Sequence, residues 1–293
     1  MLRECKFDTG EVVLNYVESA PAGPALVLLH GIPGRWQEFL PIIPALGTRW
    51  RVCAIDLRGH GASGRVPGQY LPENYIRDTV AFLERGLTEP AVVFGMSASG
   101  LGALCAAARC PGRFRGVIAG DSPIDLEALV AWMESTGFVS HFAAERDLAG
   151  SRLTVAELAE ALGDLPAGAA EDGSIPRYRD LPGRDELQLR GWAQTLSDLD
   201  PDVLSHHGTG RGRDYLTGID MDATLRSVEC PVLLVQADPE RGSLMSADAA
   251  TRATGLLADG LQVVLTGHGH SLGLDTWQTA PLLAALTGFL EQL

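Results

Sequence analysis

Basic residues are scarce in this sequence. Its 293 residues hold 23 lysines and arginines against 37 aspartates and glutamates, a formal charge of −14, and Lys6 is the single lysine. Nucleic acid and anionic membrane both need a basic footprint on the protein that binds them, so neither is expected as a partner. Cysteine is scarce as well. Cys5, Cys53, Cys105, Cys110 and Cys230 form no CxxC pair and have no metal-ligand spacing. An odd number without a framework speaks against a disulfide scaffold and points to reduced thiols in a cytosol. No apolar run is long enough to cross a bilayer, and "MLRECKFDTGEVV" lacks the apolar stretch of a signal peptide. A soluble cytoplasmic protein is expected, with a small molecule as its partner and no cofactor or metal. Homodimerisation stays open.

What is present is ample apolar sequence, 46% of the chain, enough for a large core. It is distributed as short runs that alternate with helical patterns, the signature of a parallel or mixed sheet with helices on its faces. Residues 3–7 and 11–18 read as an opening hairpin around Asp8-Thr9-Gly10. Then come "ALVLLHG" (25–31), "WRVCAIDLRGHG" (50–61), "AVVFG" (91–95) and "FRGVIAGD" (114–121). The pattern resumes with "PVLLVQAD" (231–238) and "LQVVLTGHGH" (261–270). These runs are nearly unbroken in Val, Leu and Ile, as strands covered on both faces should be. Eight strands are predicted, with helices at about 36–46, 72–87, 98–109 and 246–257 and another closing the chain. Residues 123–228 break the rhythm with amphipathic helical pieces and Gly/Asp/Pro-rich joints. They read as a helical insertion, with disorder the alternative for 164–183. The expected division is a core of residues 1–122 and 229–293 and a helical lid of residues 123–228.

The stretch "AVVFGMSASGLGALCAAA" places Ser97 and Ser99 where a buried strand turns into a helix. A nucleophile on such a turn has a strained backbone and needs small residues two positions to either side. Around Ser97 these are Gly95 and Ser99. Around Ser99 one of them is Leu101, which would clash with the neighbouring strand. Ser97 is therefore the candidate nucleophile, and Ala98 opens the helix whose unpaired N–H groups face it. An ordinary helix cap is the plain alternative for a lone serine here. Two further stretches bear on the choice. "LVLLHGIPGRW" puts His30-Gly31 at the end of a buried strand, and "VVLTGHGHSLGLD" puts His270 after the last one.

In this order and spacing the chain resembles the α/β-hydrolase family, of the serine hydrolase type, over its whole length apart from the insertion. The family pattern G-x-S-x-G is met except for Ser99 in its last place. The resemblance implies an eight-stranded, mostly parallel sheet flanked by helices, with the insertion as a lid. It also implies a Ser-His-Asp triad in which Ser97 attacks a carbonyl carbon and His270 carries the proton. His268, two residues earlier, fits the spacing less well. Asp238, at the end of "PVLLVQAD", is the first choice for the acid, with Glu240 and Asp121 as alternatives. The backbone N–H groups of Ile32 and Ala98 would form the oxyanion hole, where losing one donor typically slows catalysis by about 100- to 1,000-fold. Trp36, Met96 and Trp132 are candidates for substrate contact. Arg58 and His60 are expected to brace the loop beneath the site. His206-His207 lacks the further ligands a metal needs.

Family members that open epoxides or displace halide use a carboxylate nucleophile, whose alkyl ester water can cleave. An alkyl ether of Ser97 has no such exit. Acyl chemistry on an ester or lactone is the expected reaction, with acyl transfer, C–C hydrolysis or a non-hydrolytic receptor or lyase as the alternatives. Turnover of p-nitrophenyl acetate and butyrate separates the two serines. Ser97→Ala is expected to abolish it and Ser99→Ala largely to spare it; full turnover in both variants would remove the hydrolase reading.

Overall fold

The computed structural model describes residues 2–20, 23–166, 176–181 and 184–293. Its centre is one eight-stranded sheet in the order β1-β2-β4-β3-β5-β6-β7-β8. The antiparallel end is β1 (Arg3–Asp8) on β2 (Val13–Glu18), which pairs with β4 (Arg51–Asp56). From β4 onward the neighbours are parallel: β3 (Ala25–Leu29), β5 (Ala91–Met96), β6 (Phe114–Gly120), β7 (Val232–Ala237) and β8 (Gly260–Leu265). The eight predicted strands are all present, and the sheet is mostly parallel as expected.

The helices follow the connections. They are α1 (Ile43–Leu46), α2 (Pro72–Ala81), α3 (Ala98–Arg109), α10 (Ala247–Leu256) and α11 (Ala280–Leu290), together with six among the described residues between β6 and β7. Those six are α4 (Leu126–Met133), α5 (Thr136–Ala149), α6 (Val155–Asp164), α7 (Glu186–Ser197), α8 (Gly212–Tyr215) and α9 (Met221–Ser227). The region predicted as helix over 36–46 is a 3-10 turn, Trp36–Phe39, followed by the single turn of α1. Caps explain several of the starts. Asp125, Ser135, Thr154 and Asp185 each accept an N–H of the first turn that follows, and Thr154 and Asp185 do so in reciprocal pairs with Glu157 and Gln188. Of the joint at 164–183, residues 167–175 and 182–183 lie outside the described residues, and with them the alternative of disorder there.

The period of two along β5 sorts side chains between the two faces of the sheet. Ala91 and Val93 belong to the layer under α2, α3 and α9, which also takes in Leu101, Leu104 and Leu225. Val92, Phe94 and Met96 join the opposite layer, with Phe39, Ile118, Leu282 and Phe289. Helix α3 is rich in alanine and glycine, which lets it lie close against β5 and β6.

Two buried polar anchors hold the loops at the carboxyl ends of β3 and β4. Asp56 accepts the Trp36 N–H at 2.9 Å, the Asn15 side-chain amide at 2.9 Å and the Ala62 N–H at 3.1 Å. Arg58 is fully buried and grips Asp78 of α2 through two bonds of 2.6 and 2.7 Å, with Glu11 and the Gln69 carbonyl as further partners. A buried charge is tolerable only with such pairing. Arg58 thus ties the β4 loop to α2, the bracing role expected of it.

Candidate active site

The parallel strands deliver their loops to one edge of the sheet, where open α/β sheets bind ligands. Ser97 ends β5 with φ 54° and ψ −127°, a conformation that L-residues rarely adopt and that stores roughly 1–3 kcal/mol. The bend exists because the strand and helix meet almost without side chains between them. A Cβ on Gly95 would lie 2.4 Å from the Ser99 carbonyl oxygen, and one on Gly100 would lie 1.9 Å from Ser122 Oγ and 2.7 Å from the Gly95 carbonyl oxygen. Positions 95 and 100 therefore need glycine. Ser99 is buried beside them, and its hydroxyl donates to the His30 carbonyl.

That bond couples the elbow to the His30-Gly31 loop. A Cβ on Gly31 would come within 3.3 Å of Ser97 Cβ, so the loop lies directly against the serine. His30 is buried and spans the loop. Its Nδ1 lies 2.7 Å from the Gly31 carbonyl, and its Nε2 accepts the Leu57 N–H at 3.1 Å. Burial pulls its pKa down to about 4, which keeps the ring neutral and Nδ1–H the donor. His60 packs 4.9 Å away, ring to ring, with Nδ1 2.8 Å from the Arg58 carbonyl; burial and the neighbouring His30 bring it down to about 3. Ala98 is the first residue of α3, so its N–H has no acceptor within the helix.

The structure brings His270 to Asp121 and not to Asp238. His270 Nδ1–H donates to Asp121 Oδ2 at 2.7 Å. Asp121 follows β6 with φ 39°, which swings its carboxylate over the end of β7. There it also accepts the Ala237 N–H at 3.1 Å, the Ser243 hydroxyl and the Leu244 N–H at 2.9 Å. Burial alone would raise the Asp121 pKa, but His270, Ser243 and the Leu244 N–H outweigh it and hold the carboxyl below its ordinary value.

Asp238 has other work. Its carboxylate accepts the Glu240 N–H at 3.0 Å, capping the turn Pro239–Arg241, and the Gly267 N–H at 2.6 Å. Its own N–H donates to the His268 carbonyl at 2.8 Å. It braces the loop that carries His270 without touching the imidazole. Glu240 is exposed. His268 sets its two ring nitrogens 3.1 Å from the carbonyls of Thr266 and Gln278, an arrangement that ties down the loop. Ser243, Leu244 and Ser122 went unnoticed in the sequence, since no local pattern marks them.

The predicted substrate contacts are placed differently. A cavity beside the elbow includes Ile32 and Ala98 in its wall, but Trp36, Met96 and Trp132 do not line it. Met96 lies on the opposite face of β5, against the layer under α11, because it shares the parity of Phe94. Trp36 packs partly into that same layer, and Trp132 is 45% exposed with its ring against Phe138. Arg35 pairs with Asp198 at 3.7 Å. Among the described residues no group of three or more His, Cys, Asp or Glu side chains is placed to hold a metal, and no helix is long and apolar enough to cross a membrane.

The buried histidines set an acid sensitivity. His30, His60 and His207 hold pKa values near 4, 3 and 4 through burial, against an ordinary 6.5. Below pH 6.5 the unfolded chain binds protons that the folded one refuses. Stability is therefore expected to fall as pH drops from about 6.5 toward 4, by about 1.4 kcal/mol per pH unit for each histidine. The Asp121 contribution has the opposite origin and disappears only at lower pH, through that group's own depressed range. Urea midpoints at pH 7, 6 and 5 check this; a flat profile would contradict it.

Comparison with known proteins agrees with this fold. The family model for the alpha/beta hydrolase fold matches residues 24–276. A 2-(acetamidomethylene)succinate hydrolase from Mesorhizobium japonicum is 28% identical over 298 aligned positions, covering 98% of this chain and 94% of that protein. A crystal structure of E-2-(acetamidomethylene)succinate hydrolase is similar with a TM-score of 0.66 and 25% identity, over 99% of this chain and 100% of the other. An N-formylmaleamic acid deformylase structure from Pseudomonas putida S16 shares the fold, with a TM-score of 0.74 and 18% identity over 97% of this chain and all of the other. The matched residues run from β3 to the loop beyond His270, and so take in the elbow and both of its neighbouring loops. The chain therefore belongs to the α/β-hydrolase family and is an enzyme of that fold, a hydrolase.

Proposed function

We propose that the chain is a serine hydrolase that cleaves an ester or lactone of a small to medium-sized metabolite through an acyl-enzyme, with Ser97, His270 and Asp121 as its triad. The observation that carries this reading is the 2.7 Å bond between His270 Nδ1 and Asp121, which fixes the imidazole in one tautomer and leaves Nε2 with its lone pair. Ser97 Oγ attacks the substrate carbonyl carbon while its proton passes to Nε2. The developing oxyanion is held by the N–H groups of Ile32 and Ala98, whose residues flank Ser97 from the β3 loop and from α3. The Asp121 carboxylate, desolvated and fully hydrogen-bonded, stabilises the imidazolium. The proton then goes to the leaving group, and water releases the acyl group by the same steps in reverse.

Residues 123–228 act as a lid in this reading. The cavity at Ile32 and Ala98 measures only about 30 Å³, room for a group of one or two heavy atoms, and Leu129, Tyr215 and Leu216 of this segment close it. Larger substrates therefore require the segment to shift. An N-acyl bond is the second reading. It is favoured by the acetamido group in the name of the relative that is 28% identical across nearly the whole chain. The same residues serve it, with an amine as the leaving group.

The two candidate acids separate the account from its rival. Asp121→Asn is expected to lower kcat by roughly 1,000- to 10,000-fold, as loss of the correct tautomer does elsewhere. Asp238→Asn is expected to lower kcat far less, since its carboxylate caps a turn and holds Gly267. Kinetics with p-nitrophenyl acetate read both, and a fluorophosphonate adduct located by mass should fall on Ser97. The reverse order of the two variants would return the acid to Asp238, and an adduct elsewhere would remove Ser97.

A further inference from the structure

The residue before Ser97, the residue before Asp121 and a residue just beyond His270 meet at one point on the sheet. Met96 and Gly120 are paired across β5 and β6. Gly120 has no side chain, and a Cβ there would lie 2.6 Å from Met96 Sδ, 2.7 Å from Phe94 Cε2 and 3.2 Å from Leu272 Cδ1. The space over Gly120 is thus already filled, from β5 by Phe94 and Met96 and from the His270 loop by Leu272. Leu272 is wholly buried there, in the layer under α11. Its N–H donates to the Gly269 carbonyl at 2.9 Å, which closes a tight turn with His270 and Ser271 at its tip. Leu272 also has φ 54°, a left-handed conformation that a leucine rarely adopts. Such strain persists only where the surroundings over-determine it, and it gathers at functional sites. The other non-glycine residues with positive φ among the described residues are Ser97, Asp121 and Trp277.

An imidazole on a loop needs support on both sides along the chain. Before His270, Asp238 holds the Gly267 N–H, and the His268 ring lies against the carbonyls of Thr266 and Gln278. After it, the Ser271 hydroxyl bonds Asp275 within the same loop, and Leu272 is the first side chain to enter the interior. Resting on the acyl-enzyme reading above, we propose that Leu272 is a positioning residue for His270: its side chain, seated with Met96 and Phe94 over Gly120, fixes the turn that presents the imidazole to Asp121. The same contact ties that turn to the strand ends that carry Ser97 and Asp121. The three groups thus keep their spacing through an apolar joint in the layer opposite α3. A misplacement of about 1 Å in a catalytic group can cost roughly 100-fold in rate. The competing arrangement is a leucine that serves the core alone, as Leu286 of α11 does in the same layer.

Side-chain truncations separate the two. Leu272→Ala is expected to lower kcat for p-nitrophenyl acetate by roughly 100-fold, with KM within about twofold of the wild type. Leu272→Gly removes the left-handed strain together with the anchor, and is expected to lose about as much kcat. Leu272→Met keeps the side-chain volume and is expected to hold kcat within about threefold. Leu286→Ala deletes the same atoms from the same layer, and is expected to lower the melting temperature and leave kcat within about twofold. In proton NMR, the low-field resonance of the His270 imidazole bonded to Asp121 is expected to broaden away in Leu272→Ala and to persist in Leu286→Ala. Equal kcat in the wild type and Leu272→Ala, equal losses in Leu272→Ala and Leu286→Ala, or full activity in Leu272→Gly overturns the inference and leaves the acyl-enzyme reading standing. So does failure of both Leu272 truncations to fold, which would make this leucine a determinant of the fold alone. No turnover of any ester by the wild type, with no fluorophosphonate label on Ser97, overturns that reading and the inference with it.

Discussion

A carboxylate taken out of water has to find its hydrogen bonds within the protein, and Asp121 finds four. Two come from backbone N–H groups at the end of β7 and in the loop after it, one from Ser243 and one from the His270 imidazole. The first three hold the carboxylate still. The fourth holds the imidazole, on a loop that Asp238 and His268 also tie down. In the proposed chemistry everything downstream depends on this contact: the tautomer of His270, the lone pair left on Nε2, and the stabilisation of positive charge when a proton arrives. The negative φ lost at Asp121 is part of the same arrangement, since the ordinary conformation would aim the side chain elsewhere.

The sheet makes the contact possible by putting β5, β6, β7 and β8 side by side. Residues more than a hundred positions apart in sequence emerge from neighbouring strands at one edge. The same geometry accounts for the second strained residue, Ser97. Glycines at 95 and 100 let helix α3 start almost on top of β5, and Ser99 uses its hydroxyl to bind the loop that begins at His30. The bend at Ser97 and the loop after His30 are thus joined through a backbone carbonyl. Asp238 extends the network outward by anchoring Gly267 and the His268 carbonyl.

Most of the fold was legible in the sequence because buried parallel strands leave a plain trace, runs of Val, Leu and Ile between helical stretches. The bend at Ser97 was legible for a similar reason: only one of two serines had small neighbours compatible with it. The carboxylate that meets His270 was not, because distance along the chain does not reveal which strand end the His270 loop overlies. A local signal did exist. Asp238 precedes a proline in "DPERG", a sequence that favours a side chain turned back to cap its own turn, and it does so in the structure. The expected substrate contacts lie away from the cavity beside the elbow. Met96 looked available because it adjoins Ser97, yet alternation along β5 sends it to the far layer.

The central contact has a direct spectroscopic signature. In a proton NMR spectrum of the folded enzyme, the His270 Nδ1–H shared with a buried carboxylate should appear as a resolved low-field imidazole resonance. The account predicts that this resonance is lost in Asp121→Ala and persists in Asp238→Ala. Its survival without Asp121, or its loss with Asp238 alone, would contradict the account.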